Sequence, residues 1–315
     1  MNGYVVGIDL GGTETKIGIV DYNGNIVEKS IIPTLVSRGS EDVIDRIAES
    51  VRKLVHTSGV ESKVLGIGVG SPGSIERESG TVIYSPNFPG WKNVPLSRRL
   101  EELTGFTTYV ENDANAFAIG EWAFGTFKGT PNIVALTLGT GVGGGVISRG
   151  ELITGSQGFG GELGHVIIEP DGPLCGCGSH GCLEALASAT SIVRMAKEFR
   201  KRYPDSPVFR QENITARTVF DAAKTGDEMS ELVVERATKA LAIGIAGFVH
   251  IFNPDVIILG GGVSRAGNYL LEKVERKVRS YVMESFRGTF KIALSELVED
   301  AGIKGAASIV YFRSK

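Results

Sequence analysis

All three cysteines of this 315-residue chain fall in "LCGCGSHGCLEA", residues 174–185, as Cys175, Cys177 and Cys182, with Glu184 close behind. Thiols at this spacing either hold a metal or form a disulfide. The opening "MNGYVVGIDLGG" has no basic n-region and no cleavage site, and runs straight into a strand-like stretch. That reading places the chain in the cytoplasm, where clustered thiols more often ligate a metal than pair. An odd number of cysteines also leaves one over in any intramolecular disulfide scheme. Soft thiolates in a tetrahedral set suit Zn2+, and a Cys3His shell is closed and structural. Two histidines could complete it. His180 lies between the cysteines, and His165 lies ten residues before Cys175. His180 shares a very short loop with Cys182, which crowds the tetrahedron and argues for His165.

A second group of reactive types is "VENDANAFAIGEW", where Asn112, Asp113 and Asn115 sit at a strand-to-helix junction. The plain reading of Asp113 is a helix N-cap. Three polar side chains at the end of a buried strand also read as a site, because ligands of open α/β sheets collect there. Phosphoryl transfer asks little covalent chemistry of a protein. It needs positioning, charge neutralisation by Mg2+ and one carboxylate to accept the hydroxyl proton. Asp113 can be that carboxylate. Asp9, at the end of another strand, can orient Mg2+ through water, because Mg2+ dehydrates reluctantly.

The third group is glycine. The chain has 43 glycines, clustered at "DLGGT", "LGTGVGGG", "GFGGELGH" with "CGCGSHGC", and "LGGGV". Glycines after an apolar run let backbone N–H groups turn toward an anion. In "GIDLGGTETK" the turn comes after Asp9, and Thr13 and Lys16 add a hydroxyl and a charge. "LGTGVGGG" offers the same design a second time. Neither matches the P-loop pattern, and the run after "GTGVGG" is strand-like, unlike a dinucleotide fingerprint. The duplicated pair reads as two phosphate loops.

These residues need elements to carry them. "VVGIDLGGTETKIGIVDYNGNIV" and "IVALTLGTGVGGGVISRGELI" share one plan of strand, small-residue turn, strand and polar turn. Asp9 then falls opposite Thr137, Gly11 opposite Gly139, and Gly12 opposite Thr140. Two copies exclude a solenoid and indicate two related α/β halves. Apolar spacing predicts helices over 41–57, 96–104, 113–124, 183–202, 216–225, 228–252, 265–284 and 305–312. Buried strands are expected at 64–70, 107–112 and 255–263, and the closing helix should return to the first half. Apolar residues make up 42% and charged residues 22%, with net charge −3. No apolar run reaches the length of a membrane span, and no basic block marks a nucleic-acid surface.

In order, "DLGGTETK", "SPNFPGW", "ENDAN", "LGTGVGGG", "GGELGH", "CGCGSHGCLE" and "LGGGV" resemble the ROK family of sugar kinases, and within it the bacterial glucokinases. The resemblance runs over nearly the whole chain. It implies the actin/hexokinase-like α/β fold, two duplicated ribonuclease-H-like domains with ATP and sugar in an inter-domain cleft. The small domain is expected over 1–113 plus 302–315, and the large domain, carrying the zinc knot, over 114–301. The resemblance makes Asp113 the general base for the sugar 6-hydroxyl, with Asn112 beside it. It assigns Glu162, His165 and Glu184 to the ring hydroxyls, and Gly73 and Asn87 to the pocket floor. Gly11, Gly12, Thr13, Gly139, Thr140 and Gly141 match the phosphate loops, with Lys16 after the first, and Gly261 and Gly262 match the adenosine motif. His165, with Cys175, Cys177 and Cys182, is the implied zinc set, and zinc would then aim His165 and Glu184 at the sugar. The implied reaction is ATP- and Mg2+-dependent phosphorylation of glucose by a homodimer or homotetramer. Fructose, mannose, N-acetylmannosamine or N-acetylglucosamine as acceptor, and polyphosphate as donor, stay open. A sugar-responsive regulator is the alternative from another class. Family regulators carry a DNA-reading helix before the first strand, and a strand starting near Gly3 leaves no room for one.

Overall fold

The structure, a computed structural model, describes residues 3–85, 88–297 and 300–313. Its internal contacts divide the chain into two units. One comprises Met1–Thr130, Leu152–Gly161 and Glu296–Lys315, the other Pro131–Glu151 and Glu162–Ser295.

The first unit opens with strands β1 (Tyr4–Leu10), β2 (Glu14–Val20) and β3 (Ile26–Pro33), joined as antiparallel hairpins. Helix α1 (Ser40–Ser58) then carries the chain to β4 (Val64–Ser71), which lies parallel to β1. A small sheet of β5 (Ser74–Glu76), β6 (Thr81–Tyr84) and β7 (Lys92–Val94) comes next. After α2 (Leu96–Thr104), β8 (Thr108–Asn112) completes the main sheet in the order β3-β2-β1-β4-β8 and runs directly into α3 (Asp113–Phe124). β1 and β4 are continuous apolar runs because both their faces are covered.

The second unit repeats the plan. β9 (Ile133–Leu138) and β10 (Val142–Ser148) form the hairpin, with β11 (Glu151–Leu152) on its edge. Helices α4 (Leu183–Ala187), α5 (Ala189–Glu198), α6 (Ala216–Lys224) and α7 (Glu228–Phe252) precede β12 (Val256–Gly260). α8 (Asn268–Tyr281) leads to β13 (Lys291–Leu294). The order β11-β10-β9-β12-β13 has the same pattern of antiparallel and parallel neighbours as the first sheet. Asp9 and Thr137 each fall one residue before the end of the leading strand, as the sequence repeat requires.

α9 (Ala301–Arg313) returns to the first unit and begins four residues earlier than expected from its apolar pattern. It lies directly on the sheet. A methyl at Gly7 would overlap the Ile303 carbonyl, and one at Gly68 the Ala306 carbonyl. α3 packs on α9 just as closely, with Gly120 against the backbone of Gly305. The contact division falls after Thr130 and again at Glu296, where the sequence reading put the small domain at 1–113 plus 302–315. Two expected helices differ. The 183–202 helix breaks at Ser188, which is extended and caps α5 by accepting from the Ser191 N–H at 3.1 Å. The 265–284 helix starts only at Asn268, because Gly267 adopts φ +71°. Among the described residues no helix is long and apolar enough to cross a membrane.

Candidate active site

In the first unit, β8 delivers its end to α3 through three acidic or amide side chains with separate tasks. Asn112, not Asp113, is the N-cap. Its Oδ1 accepts from the N–H groups of Ala114 (2.9 Å) and Asn115 (3.3 Å), and its Nδ2 donates to the Gly73 carbonyl at 3.1 Å. Asp113 is therefore the first helical residue. Its Oδ1 accepts from the Ala114 N–H at 2.9 Å, and the side chain stands exposed at the strand end. Gly73 holds φ +108° with its Cα against the Tyr84 carbonyl, so the turn after β4 is tied to the α3 cap. Asn87 lies outside the described residues.

Beneath this corner sits Glu111, only 3% exposed. Its Oε2 accepts from Arg77 Nε at 2.8 Å, and its Oε1 from the Asn115 side chain (3.1 Å) and the Asn112 N–H (3.0 Å). The buried carboxylate is thus paired with a guanidinium and hydrogen-bonded through both oxygens, which offsets the cost of burying it.

The first glycine turn comes after β1. Asp9 faces Lys16 across the β1–β2 pair. Burial raises the Asp9 pKa, and the Lys16 charge works against that rise. The Asp9 carboxylate also fills the space a side chain at Gly302 would need. Thr34 holds the turn: its hydroxyl donates to the Gly11 carbonyl at 2.6 Å, and its N–H to the Thr13 carbonyl at 2.8 Å. Gly12 and Thr13 are exposed, and nothing lies within 4 Å of where a Gly12 methyl would be.

In the second unit the matching turn lies between β9 and β10. Gly139 has the same open side as Gly12, whereas a methyl at Gly141 would strike Glu184 Oε2. That oxygen accepts from the Val142 N–H at 3.0 Å. The Gly139 carbonyl accepts from Ala189, and the exposed Thr140 offers its carbonyl to the Thr190 hydroxyl, both at 2.8 Å. The glycines after β12 divide in the same way. Gly261 is required by the fold, with φ +83° and Cα pressed on the Leu138 backbone, while Gly262 is open.

The cysteine cluster closes in the same unit. The ligand atoms of His165, Cys175, Cys177 and Cys182 all lie within 4.8 Å of one another. Cys177 and Cys182 sulfurs are 3.7 Å apart, and Cys175 Sγ is 3.7 Å from His165 Nδ1. A tetrahedron with Zn–S bonds of about 2.3 Å has its sulfurs about 3.8 Å apart, so this donor set fits zinc. His180 is exposed, bridges to Leu174, and stays outside the cluster. Burial pushes the Cys175 thiol up to about 12 and raises that of Cys182, whereas the Ser179 N–H lowers that of Cys177. A metal supplies the positive charge that two such buried thiolates need. With Nδ1 facing the sulfurs, His165 Nε2 is left 4.0 Å from the exposed carboxylate of Glu162.

Comparison with known proteins turns this geometry into a family assignment. The ROK family profile matches residues 5–312. A glucokinase of Thermotoga maritima is 51% identical over 310 residues, covering 97% of this chain and 96% of that protein. A ROK hexokinase from Thermus thermophilus superposes with a TM-score of 0.84 at 35% identity, covering 99% of each chain. A ROK family glucokinase from Streptomyces griseus, solved with glucose and AMPPNP, gives 0.82 at 32% identity, covering 98% of this chain and 99% of that one. The chain belongs to the ROK family.

Several residues that hold the candidate groups in this ROK chain lie outside its motifs. Arg77, Thr34 and Thr190 fall in none of the quoted stretches, and Glu111 opens "ENDAN" without a role assigned to it. Only the acidic residue buried beside "NDAN" gives a signal, since a charge in an apolar strand needs a partner.

Proposed function

We propose that this chain transfers the γ-phosphoryl group of ATP to the 6-hydroxyl of glucose, with Asp113 as general base. The observation that carries the reading is the division of labour at the α3 corner. Asn112 does the capping, so Asp113 stands exposed as the first residue of α3 at the strand end, its Oδ1 accepting from the Ala114 N–H. In the step, the hydroxyl oxygen bonds to phosphorus, its proton passes to Asp113, and the bond from phosphorus to the β-phosphate oxygen breaks to release ADP. Gly11, Gly12, Thr13, Gly139, Thr140 and Gly141 serve the phosphates through backbone donors, with Lys16 and Asp9 beside the first turn and Gly261 and Gly262 serving adenosine. Mg2+, when bound, neutralises phosphate charge, and Asp9 is the carboxylate that would orient it through water.

Glu162, His165 and Glu184 hold sugar hydroxyls, with Asn112, Gly73 and Asn87 completing the sugar set. Carboxylates accept two bonds each, and a histidine whose Nδ1 faces zinc presents Nε2–H as a donor of fixed direction. The zinc held by Cys175, Cys177, Cys182 and His165 is structural. Cytoplasmic placement and a homodimeric or homotetrameric assembly belong to the same proposal.

The test is ADP release with Mg-ATP against glucose, fructose, mannose and the N-acetylhexosamines, using wild type and Asp113→Asn. Turnover on glucose above the others is expected, with kcat reduced about 10^2- to 10^4-fold in the variant. Preference for another sugar moves the substrate and keeps the mechanism. No turnover on any sugar by zinc-loaded protein would sink the kinase reading and favour a regulator.

A further inference from the structure

Three hydrogen bonds fix the turn between β9 and β10, and all three come from one short stretch of chain. Glu184 Oε2 accepts from Val142 N–H at 3.0 Å, Ala189 N–H donates to the Gly139 carbonyl at 2.8 Å, and the Thr190 hydroxyl donates to the Thr140 carbonyl at 2.8 Å. Ala189 opens α5, so its N–H has no partner inside the helix, and the Gly139 carbonyl supplies one. Gly141 has no room for a side chain because Glu184 is already there. The same stretch begins in the metal cluster. Cys182, a residue of that cluster, immediately precedes α4, so Glu184 follows it by two residues, and Glu184 Oε1 lies 3.4 Å from Cys175 Sγ. The break of the expected helix at Ser188 is what brings the Ala189 N–H and the Thr190 hydroxyl to the turn.

We propose that segment 184–190 is a positioning clamp for this turn, and that it links metal occupancy of the Cys3His cluster to nucleotide affinity. The proposal rests on reading 139–141 as a phosphate-binding turn. Donors that must converge on a phosphate bind well only when held in place beforehand. The clamp removes the freedom of a glycine-rich turn before the ligand arrives. Coupling of this kind is reciprocal: if metal tightens nucleotide binding, nucleotide must tighten metal retention by the same factor.

The probe is AMPPNP, measured by calorimetry without sugar, on zinc-loaded wild type, Thr190→Val, Thr190→Ser and Glu184→Ala. Thr190 is exposed and is neither a metal ligand nor a sugar ligand, so its variants test the clamp without disturbing either site. Loss of one such bond should weaken AMPPNP about 3- to 10-fold in Thr190→Val, with Thr190→Ser restoring it. In turnover, the KM for ATP should rise while the KM for the sugar stays. Zinc release to a chromogenic chelator should slow when AMPPNP is added to wild type, and slow less in Thr190→Val. Equal AMPPNP affinity in wild type, Thr190→Val and Glu184→Ala would overturn the clamp, as would zinc release that ignores AMPPNP. Wild type that binds no AMPPNP would overturn the phosphate-turn reading, and the clamp with it.

Discussion

Asp9 carries an electrostatic cost that its position imposes. Burial raises its pKa above the unfolded value, so the fold favours the protonated form. That contribution is whole below the unfolded carboxylate pKa, about 3.9, and is lost as pH rises through the raised folded value. At neutral pH the ionised group therefore costs stability, and Lys16 offsets only part of the cost. Asp9→Asn should melt above wild type at pH 7, and the difference should shrink as pH falls through that window. Its kcat should fall in the same preparation if the proposed Mg2+-orienting role needs that charge. A variant that melts below wild type at pH 7 would count against this assignment of cost.

Single elements owe their ends to particular partners. The β8–α3 corner depends on the Arg77–Glu111 pair, since Glu111 also receives the Asn112 N–H and the Asn115 amide. Arg77→Ala leaves that buried carboxylate without its cation and should cost about 3 kcal/mol in urea unfolding. It should also lower kcat more than it raises either KM, because it loosens the corner that presents Asp113. Gly261→Ala is expected to cost more than about 1 kcal/mol, because a residue at positive φ gains a side chain pressed on a neighbouring strand. Gly262→Ala has open space and should fold normally, so any loss of nucleotide affinity there reports on binding alone.

At the scale of the molecule, each unit has its own apolar core, one built on β1, β4 and α1, the other on β9, β12 and α7. Metal removal should therefore act locally. Chelation is expected to speed amide exchange across 162–182 and at 139–142, while β1 and β4 keep their protection. Mass spectrometry of the native chain should show one zinc per chain, lost in Cys182→Ser. Uniform loss of protection in both units would contradict this picture.

Much of the molecule was legible in its residues. The two-fold repeat, the strands and most helices stem from apolar period and turn chemistry, which are local. The Cys3His set was legible because thiols at that spacing have few uses, and the choice of His165 over His180 rested on the family resemblance as well as on crowding. What the sequence could not decide depends on residues far apart in the chain. That Asn112 rather than Asp113 caps α3 rests on the Gly73 carbonyl receiving its amide. That the first unit runs to Thr130 rests on α3 packing against α9, near the other end of the chain. That a continuous helical pattern breaks at Ser188 goes with the bond from Ala189 to Gly139, fifty residues earlier. Local propensity reads one segment at a time, whereas buried donors and acceptors are paired only when the whole chain has folded.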